Sequence, residues 1–173
     1  TAPTAAGTYT ITPSAASGTG SSNYTITYET ATLTVSATSQ STLTLTSTSG
    51  TYGTTLKLTT SGGSGTGAVS YSTSSAGCSI TNTDSLTVTG AITCSVTATK
   101  AADSNYNSAS SSATNVVFAT RSITITAANK SATYTGSTVS VSNSYTISSG
   151  TLVGSDTFTS LTYTYTSASP SYN

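Results

Sequence analysis

Ile92-Thr93-Cys94-Ser95-Val96-Thr97-Ala98-Thr99 alternates apolar and hydroxyl side chains without a break. Successive residues of a β-strand point to opposite faces, so this stretch makes one apolar face and one hydroxyl face. The same alternation recurs on both sides of it. Leu43 and Leu45 stand between Thr42, Thr44 and Thr46, and Leu56 and Leu58 flank Lys57. Val69 with Tyr71 and Leu86 with Val88 repeat it nearby, and Val116 with Phe118 form a last apolar pair. Further out come Tyr9 with Ile11, Ile26 with Tyr28, Leu33 with Val35, Ile123 with Ile125, Val139 with Val141, and Leu161 with Tyr163 and Tyr165. Gly18-Thr19-Gly20, Gly62-Gly63-Ser64-Gly65, Gly90, Gly136 and Gly150 punctuate the runs. Alternating strands between closely spaced turns predict antiparallel sheets with one face buried, as in sandwiches and barrels. No stretch sustains helical periodicity, and residues 151–160 have room for one helical turn at most.

Only 5% of the 173 residues are charged, four bases against four acids, and His, Met and Trp are absent. Ser and Thr make up nearly half of the chain. Four scattered cations build no basic patch, which argues against nucleic acid as a partner. Without histidine there is no His-based triad and no His-ligated metal. No run approaches the ~20 apolar residues of a membrane span. No signal peptide is expected at Thr1-Ala2-Pro3, which lacks a charged and apolar leader. Disorder is not expected, because disordered segments lack aromatic and β-branched residues, whereas this chain has 11 Tyr and abundant Thr. Thr is itself a strand former, so hydroxyls rather than charges are expected to keep the sheets wetted.

Internal repetition sets the domain organisation. Gly7-Thr8-Tyr9-Thr10-Ile11-Thr12 matches Gly90-Ala91-Ile92-Thr93-Cys94-Ser95. Each leads through a polar loop to Ser-Asn-Tyr, at Ser22-Asn23-Tyr24 and Ser104-Asn105-Tyr106, and then to a last apolar pair. A second pair marks domain starts: Ser49-Gly50-Thr51-Tyr52-Gly53 and Ser131-Ala132-Thr133-Tyr134-Thr135-Gly136. Residues 1–39 therefore hold only an ending, residues 40–119 a complete domain, and residues 120–173 only a start. The chain reads as a segment cut out of phase from a tandem array. Joining Asn173 to Thr1 makes a second complete domain of roughly 90 residues, a normal size for a small sandwich.

Gly53 through Gly67 and Ala76 through Tyr106 resemble bacterial immunoglobulin-like repeats. Residues 6–11 with 23–28 resemble the end of the MBG-type repeats of bacterial surface proteins. Ile123 through Ala127, Tyr134 and Gly154-Ser155-Asp156 resemble the start of the same repeat. Thr135 stands where that family has Asp or Gly after the start tyrosine. The resemblance covers nearly the whole chain. It implies Ig-like β-sandwich domains in tandem, one complete and flanked by two half-domains of a second type. It also implies a long, secreted or cell-surface, adhesin-like protein. The expected function is structural: a repeat segment of an extracellular fibre, stalk or giant adhesin. Its partners would be copies of itself or adjacent repeats, head-to-tail, each completing the other's half-domain. The alternative is a module that binds glycans of a host or neighbouring cell.

No enzyme is expected, since Glu29, Asp84, Asp103 and Asp156 lie in separate segments and no Ser has a His to activate it. No cofactor and no metal are expected. Asp103-Ser104-Asn105-Tyr106-Asn107 mimics the opening of a calcium loop, but Ser108 replaces the Gly and Thr114 the Glu that such a loop needs, so it reads as a turn. Lys57 on the polar side of its strand reads as a solvated lysine, not an isopeptide donor. Tyr24 and Tyr106 read as structural tyrosines that pin equivalent loops. Cys78 shares parity with Ile80, and Cys94 with Ile92 and Val96, so both face the core. A secreted setting permits a disulfide between them. In a plain three-strand meander the two would stand ~9–10 Å apart, too far to bond. The bond therefore predicts that these strands divide between two sheets.

Overall fold

The computed structural model of the protein describes residues 2–166. Thr1 and residues 167–173, the outer ends of the two expected half-domains, lie outside them. The described residues form β1 (Gly7–Ile11), β2 (Ala31–Val35), β3 (Leu43–Leu45), β4 (Ser49–Thr51), β5 (Leu56–Lys57), β6 (Thr60–Gly62) and β7 (Val69–Thr73). Then follow β8 (Cys78–Thr81), β9 (Ser85–Val88), β10 (Thr93–Lys100), β11 (Ala109–Ser110), β12 (Thr114–Ala119), β13 (Thr124–Ala127) and β14 (Tyr145–Ser149). The protein is all-β; the one helical element among the described residues is a 3-10 turn at Ser21–Asn23.

Residues 43–119 form a sandwich-like body of two layers. In the first, β10 pairs with β7 along one edge and with β12 and β11 along the other, and β4 joins β12 in parallel. Between β11 and β12, Ser111 turns inward. Its hydroxyl accepts from the Ala98 N–H at 3.0 Å and donates to the Ser112 carbonyl at 2.9 Å, which satisfies polar groups where the ladder breaks. In the second layer β3 pairs with β6, and β9 lies between β5 and β8. Bonds from Leu58 N to Asp84 O (2.7 Å) and from Thr46 N to Thr59 O (2.9 Å) knit these small sheets into the order β3, β6/β5, β9, β8.

The alternation read from the sequence sets the core. Leu43, Leu45, Leu58 and Leu86 face inward from one layer, and Cys94, Val96, Ala98, Val116 and Phe118 from the other. Every fully buried apolar residue among the described ones lies in this body. Cys78 on β8 and Cys94 on β10 are joined by a disulfide with a Cα–Cα distance of 6.0 Å. Their strands belong to different layers, the division that the bond requires.

The flanks are simpler. β1 and β2 form a five-residue antiparallel hairpin, with Tyr9 opposite Leu33. β13 and β14 form another, with a register shift at Thr124/Ile125. No strand forms at Ile26–Tyr28, Val139–Val141 or Leu161–Tyr165, where alternation suggested one. A strand needs a hydrogen-bonded neighbour, and a hairpin without a further strand or a covering layer offers none.

Candidate functional site

The chain enters and leaves the central body at opposite ends. β12 runs antiparallel to β10, with Val117 opposite Thr93, so its exit at Ala119 lies by the start of β10. The incoming linker lies instead beyond the end of β10, where Thr38 bridges Tyr106. At ~3.3 Å per residue the eight residues of β10 separate these two poles by about 26 Å.

The incoming pole is organised by Asp103. Its Oδ1 accepts from the N–H groups of Asn105 and Tyr106, both at 2.9 Å, and its Oδ2 from the N–H of Thr66 at 2.6 Å. The Asp103 N–H donates to the Tyr106 carbonyl at 3.0 Å. The motif that resembles a calcium loop is therefore a turn whose carboxylate is occupied by backbone donors. These bonds from Asn105 and Thr66 hold the Asp103 carboxyl below its ordinary value of 3.8, because they stabilise the anion. The linker is stitched onto this turn. Thr38 N donates to Asn105 O at 2.9 Å and Asn107 N to Thr38 O at 2.8 Å. Gln40 Nε2 donates to the carbonyls of Ala101 and Asn107, at 3.0 and 2.8 Å. Ala6 N, at the foot of β1, donates to Asn105 Oδ1 at 2.9 Å.

The outgoing pole is a clamp that sequence reading missed. Tyr52 Oη donates to Asp156 Oδ2 at 3.0 Å, and Arg121 Nη2 donates to Thr151 Oγ1 at 3.0 Å. Gly53, with φ +80°, lies so close to Val153 that any Cβ would collide with it. The start marker at Ser49–Gly53 was visible in the sequence; that its tyrosine touches the next segment was not, because Asp156 lies 104 residues away. The Asp156 carboxylate raises the Tyr52 phenol above its ordinary 10.0, since the bond requires the proton. Between body and flank lies a cavity of about 340 Å³, walled by Ile123, Leu152, Val153 and Phe158 beside these polar groups.

The two loop tyrosines are placed differently. Tyr106 is half-buried on the Asp103 turn, whereas Tyr24 is 76% exposed at the end of the 3-10 turn, with only its N–H bonded, to Ser21 O. Lys57 is solvated and meets Asp84 at 3.6 Å. Among the described residues, no cluster of three potential metal ligands occurs, and no helix is long and apolar enough to cross a membrane.

Exposure separates flanks from body. Ile11, Tyr24, Ile26, Tyr28 and Leu33 are exposed on the incoming flank, and Tyr134, Val139, Tyr145, Phe158, Leu161 and Tyr165 on the outgoing one; in the body only Val117 is. No hydrogen bond among the described residues links the two flanks to each other. No protein-family model, curated protein or solved structure matches this chain.

Proposed function

We propose that this chain is a structural repeat segment of a secreted or cell-surface bacterial fibre, stalk or giant adhesin, assembling head-to-tail, with no catalytic role. The observation that carries this reading is the position of the unpartnered apolar faces. They lie on two flanks, each with one hairpin, attached at opposite poles of a body whose own core is closed. A contact between one copy's leading flank and another's trailing flank is heterologous and propagates rather than closing, unless a ring forms. The central body is an immunoglobulin-like sandwich in this reading. The strand order β3, β6/β5, β9, β8 against β4, β12, β10, β7 supports that, being the two-sheet division of the immunoglobulin fold. The flanks are the ending and the start of a second type of domain. The disulfide fits an oxidising compartment.

A glycan-binding module is the second reading, favoured by the Tyr24 and Tyr134 rings, 76% and 75% exposed. Sedimentation velocity across a concentration series, with electron microscopy of the concentrated sample, separates the two. Strings of end-to-end particles are expected. Monomers at every concentration, with retention on immobilised glycans, would turn the assignment to the second reading.

A further inference from the structure

The central body contains a template for what each flank lacks. β10 is eight residues long, and its last five, Val96 to Lys100, are laddered to β7, from Val96 opposite Thr73 to Lys100 opposite Val69. Its repeat counterpart β1 ends at Ile11, and residues 12–17 have no ladder. On the other flank, Leu161-Thr162-Tyr163-Thr164-Tyr165 reproduces the pattern of Val69-Ser70-Tyr71-Ser72-Thr73 and has no ladder either. Each flank therefore holds an unladdered segment where the body has one of a pair of strands.

The loops repeat this relation. In the body, Gly65 (φ +69°) has no room for a side chain: a Cβ there would strike Asp103 and come within 2.8 Å of the Tyr106 ring. Gly62 and Gly150 share a φ of +77°, and Gly154, four residues after Gly150, is the glycine nearest to the place that Gly65 holds three residues after Gly62. Yet nothing lies within 4 Å of a Cβ built at Gly154. The repeat counterpart of Tyr106 is Tyr24, whose ring is exposed.

We propose that, in the head-to-tail assembly on which this inference rests, residues 161–165 of one copy add as a strand to residues 12–17 of a second copy, with Ala15 turning from its φ of +52° to extended backbone and the Ala16 N–H leaving the Tyr28 hydroxyl. The second copy's Gly18–Tyr24 loop then seats Tyr24 against Gly154. Within one chain the central body stands between these segments, so the partner is another copy. A groove of about 380 Å³, lined by Tyr145, Phe158, Leu161 and Tyr163, opens on this face. In the body the corresponding space is filled by residues such as Cys94, which is fully buried; its counterpart Ile11 is 49% exposed and enters the groove. Charge agrees. Residues 1–39 hold one acid, Glu29, and no base (−1), while residues 120–173 hold Arg121, Lys130 and Asp156 (two bases less one acid, +1). Strand addition supplies main-chain bonds, and the side-chain pockets fix the register.

The test uses two full-length variants, Ser21→Cys and Ser155→Cys. Ser21 precedes Tyr24 by three residues as Asp103 precedes Tyr106, and Ser155 follows Gly154 as Thr66 follows Gly65. In the body the Asp103–Thr66 pair is in direct contact. Mixed under mild oxidation, the two variants should give a 21–155 disulfide at least ~10-fold more abundant than the homodimers formed by either alone, since docking raises the local thiol concentration to the millimolar range. Adding Tyr24→Ala, which removes an exposed side chain, should abolish that excess. Association by sedimentation without preferential 21–155 linkage overturns this docking and leaves head-to-tail assembly standing. Absence of association at every concentration overturns both.

Discussion

The β10–β12 ladder and the β1–β2 hairpin are two versions of one sequence motif. In both, an apolar residue of the first strand faces one of the second: the Phe118 N–H donates to the Ile92 carbonyl at 2.9 Å, and Tyr9 lies opposite Leu33. Their fates differ. Phe118 is 2% exposed and Leu33 is 38% exposed. The strands themselves do not account for that difference. The covering layer does: β3, with Leu43 and Leu45 both buried, lies across the core from β10, while among the described residues no strand covers β1 in this way. Alternation gives a strand an apolar face, but only a second layer buries it.

The largest expected effect attacks this contrast directly. Phe118→Ala should destabilise the body by about 3–5 kcal/mol, the usual cost of emptying an aromatic site in a core. Leu33→Ala in dilute, monomeric protein should stay within about 0.5 kcal/mol, as for a surface position. Urea unfolding followed by tyrosine fluorescence measures both. Equal losses would mean that β1–β2 already has a partner layer. Next in size is reduction of the Cys78–Cys94 bond, which closes a loop with a sequence separation of 16. Dithiothreitol should lower the body's stability by about 3 kcal/mol, the entropy of a loop of that length. The amide shifts of Tyr9–Ile11 and Ile125 should not follow, because the bond lies wholly within the body.

These two effects were legible in the sequence for a physical reason. Parity placed Cys78 and Cys94 on apolar faces, and the meander objection forced their strands into separate layers. Parity also picked out Leu43, Leu45, Leu58, Leu86, Val96 and Ala98 as core. It failed at Ile26–Tyr28, Val139–Val141 and Leu161–Tyr165, where the pattern is equally good but no neighbouring strand among the described residues completes a ladder. Alternation is a property of one strand; a ladder is a property of two. The same limit hid the outgoing clamp, since Tyr52, Arg121 and Asp156 carry no periodic signal and meet only through tertiary structure.

A smaller effect compares the two Ser-Asn-Tyr loops. The body's loop has Asp103 as its acceptor, and the flank's loop has Ser21 in the same place. With its folded pKa below 3.8, Asp103 contributes stability that is complete above that value and is lost as pH falls through the lower folded value. Protection from amide exchange at Asn105, Tyr106 and Thr66 should therefore fall at acid pH, while protection across Ser21–Tyr24 shows no such step. Asp103→Asn should flatten the profile. A step that survives in the variant would assign the acid sensitivity elsewhere.

The smallest effect lies at the outgoing pole, where one exposed hydrogen bond helps tie body to flank. The Tyr52 phenol is raised above 10.0 because its proton is held by the Asp156 carboxylate. A raised folded pKa contributes stability that is present in full below 10.0 and is lost as pH rises through the higher folded value, when phenolate and carboxylate repel. Alkaline titration should thus shift the amides of Val153, Gly154 and Asp156 while leaving Leu43, Val96 and Val116 unmoved. Tyr52→Phe should remove the titration, keep the ring on the cavity wall and leave the urea midpoint of the body unchanged. Loss of the body's stability in that variant would show that the clamp supports the core rather than orienting the flank.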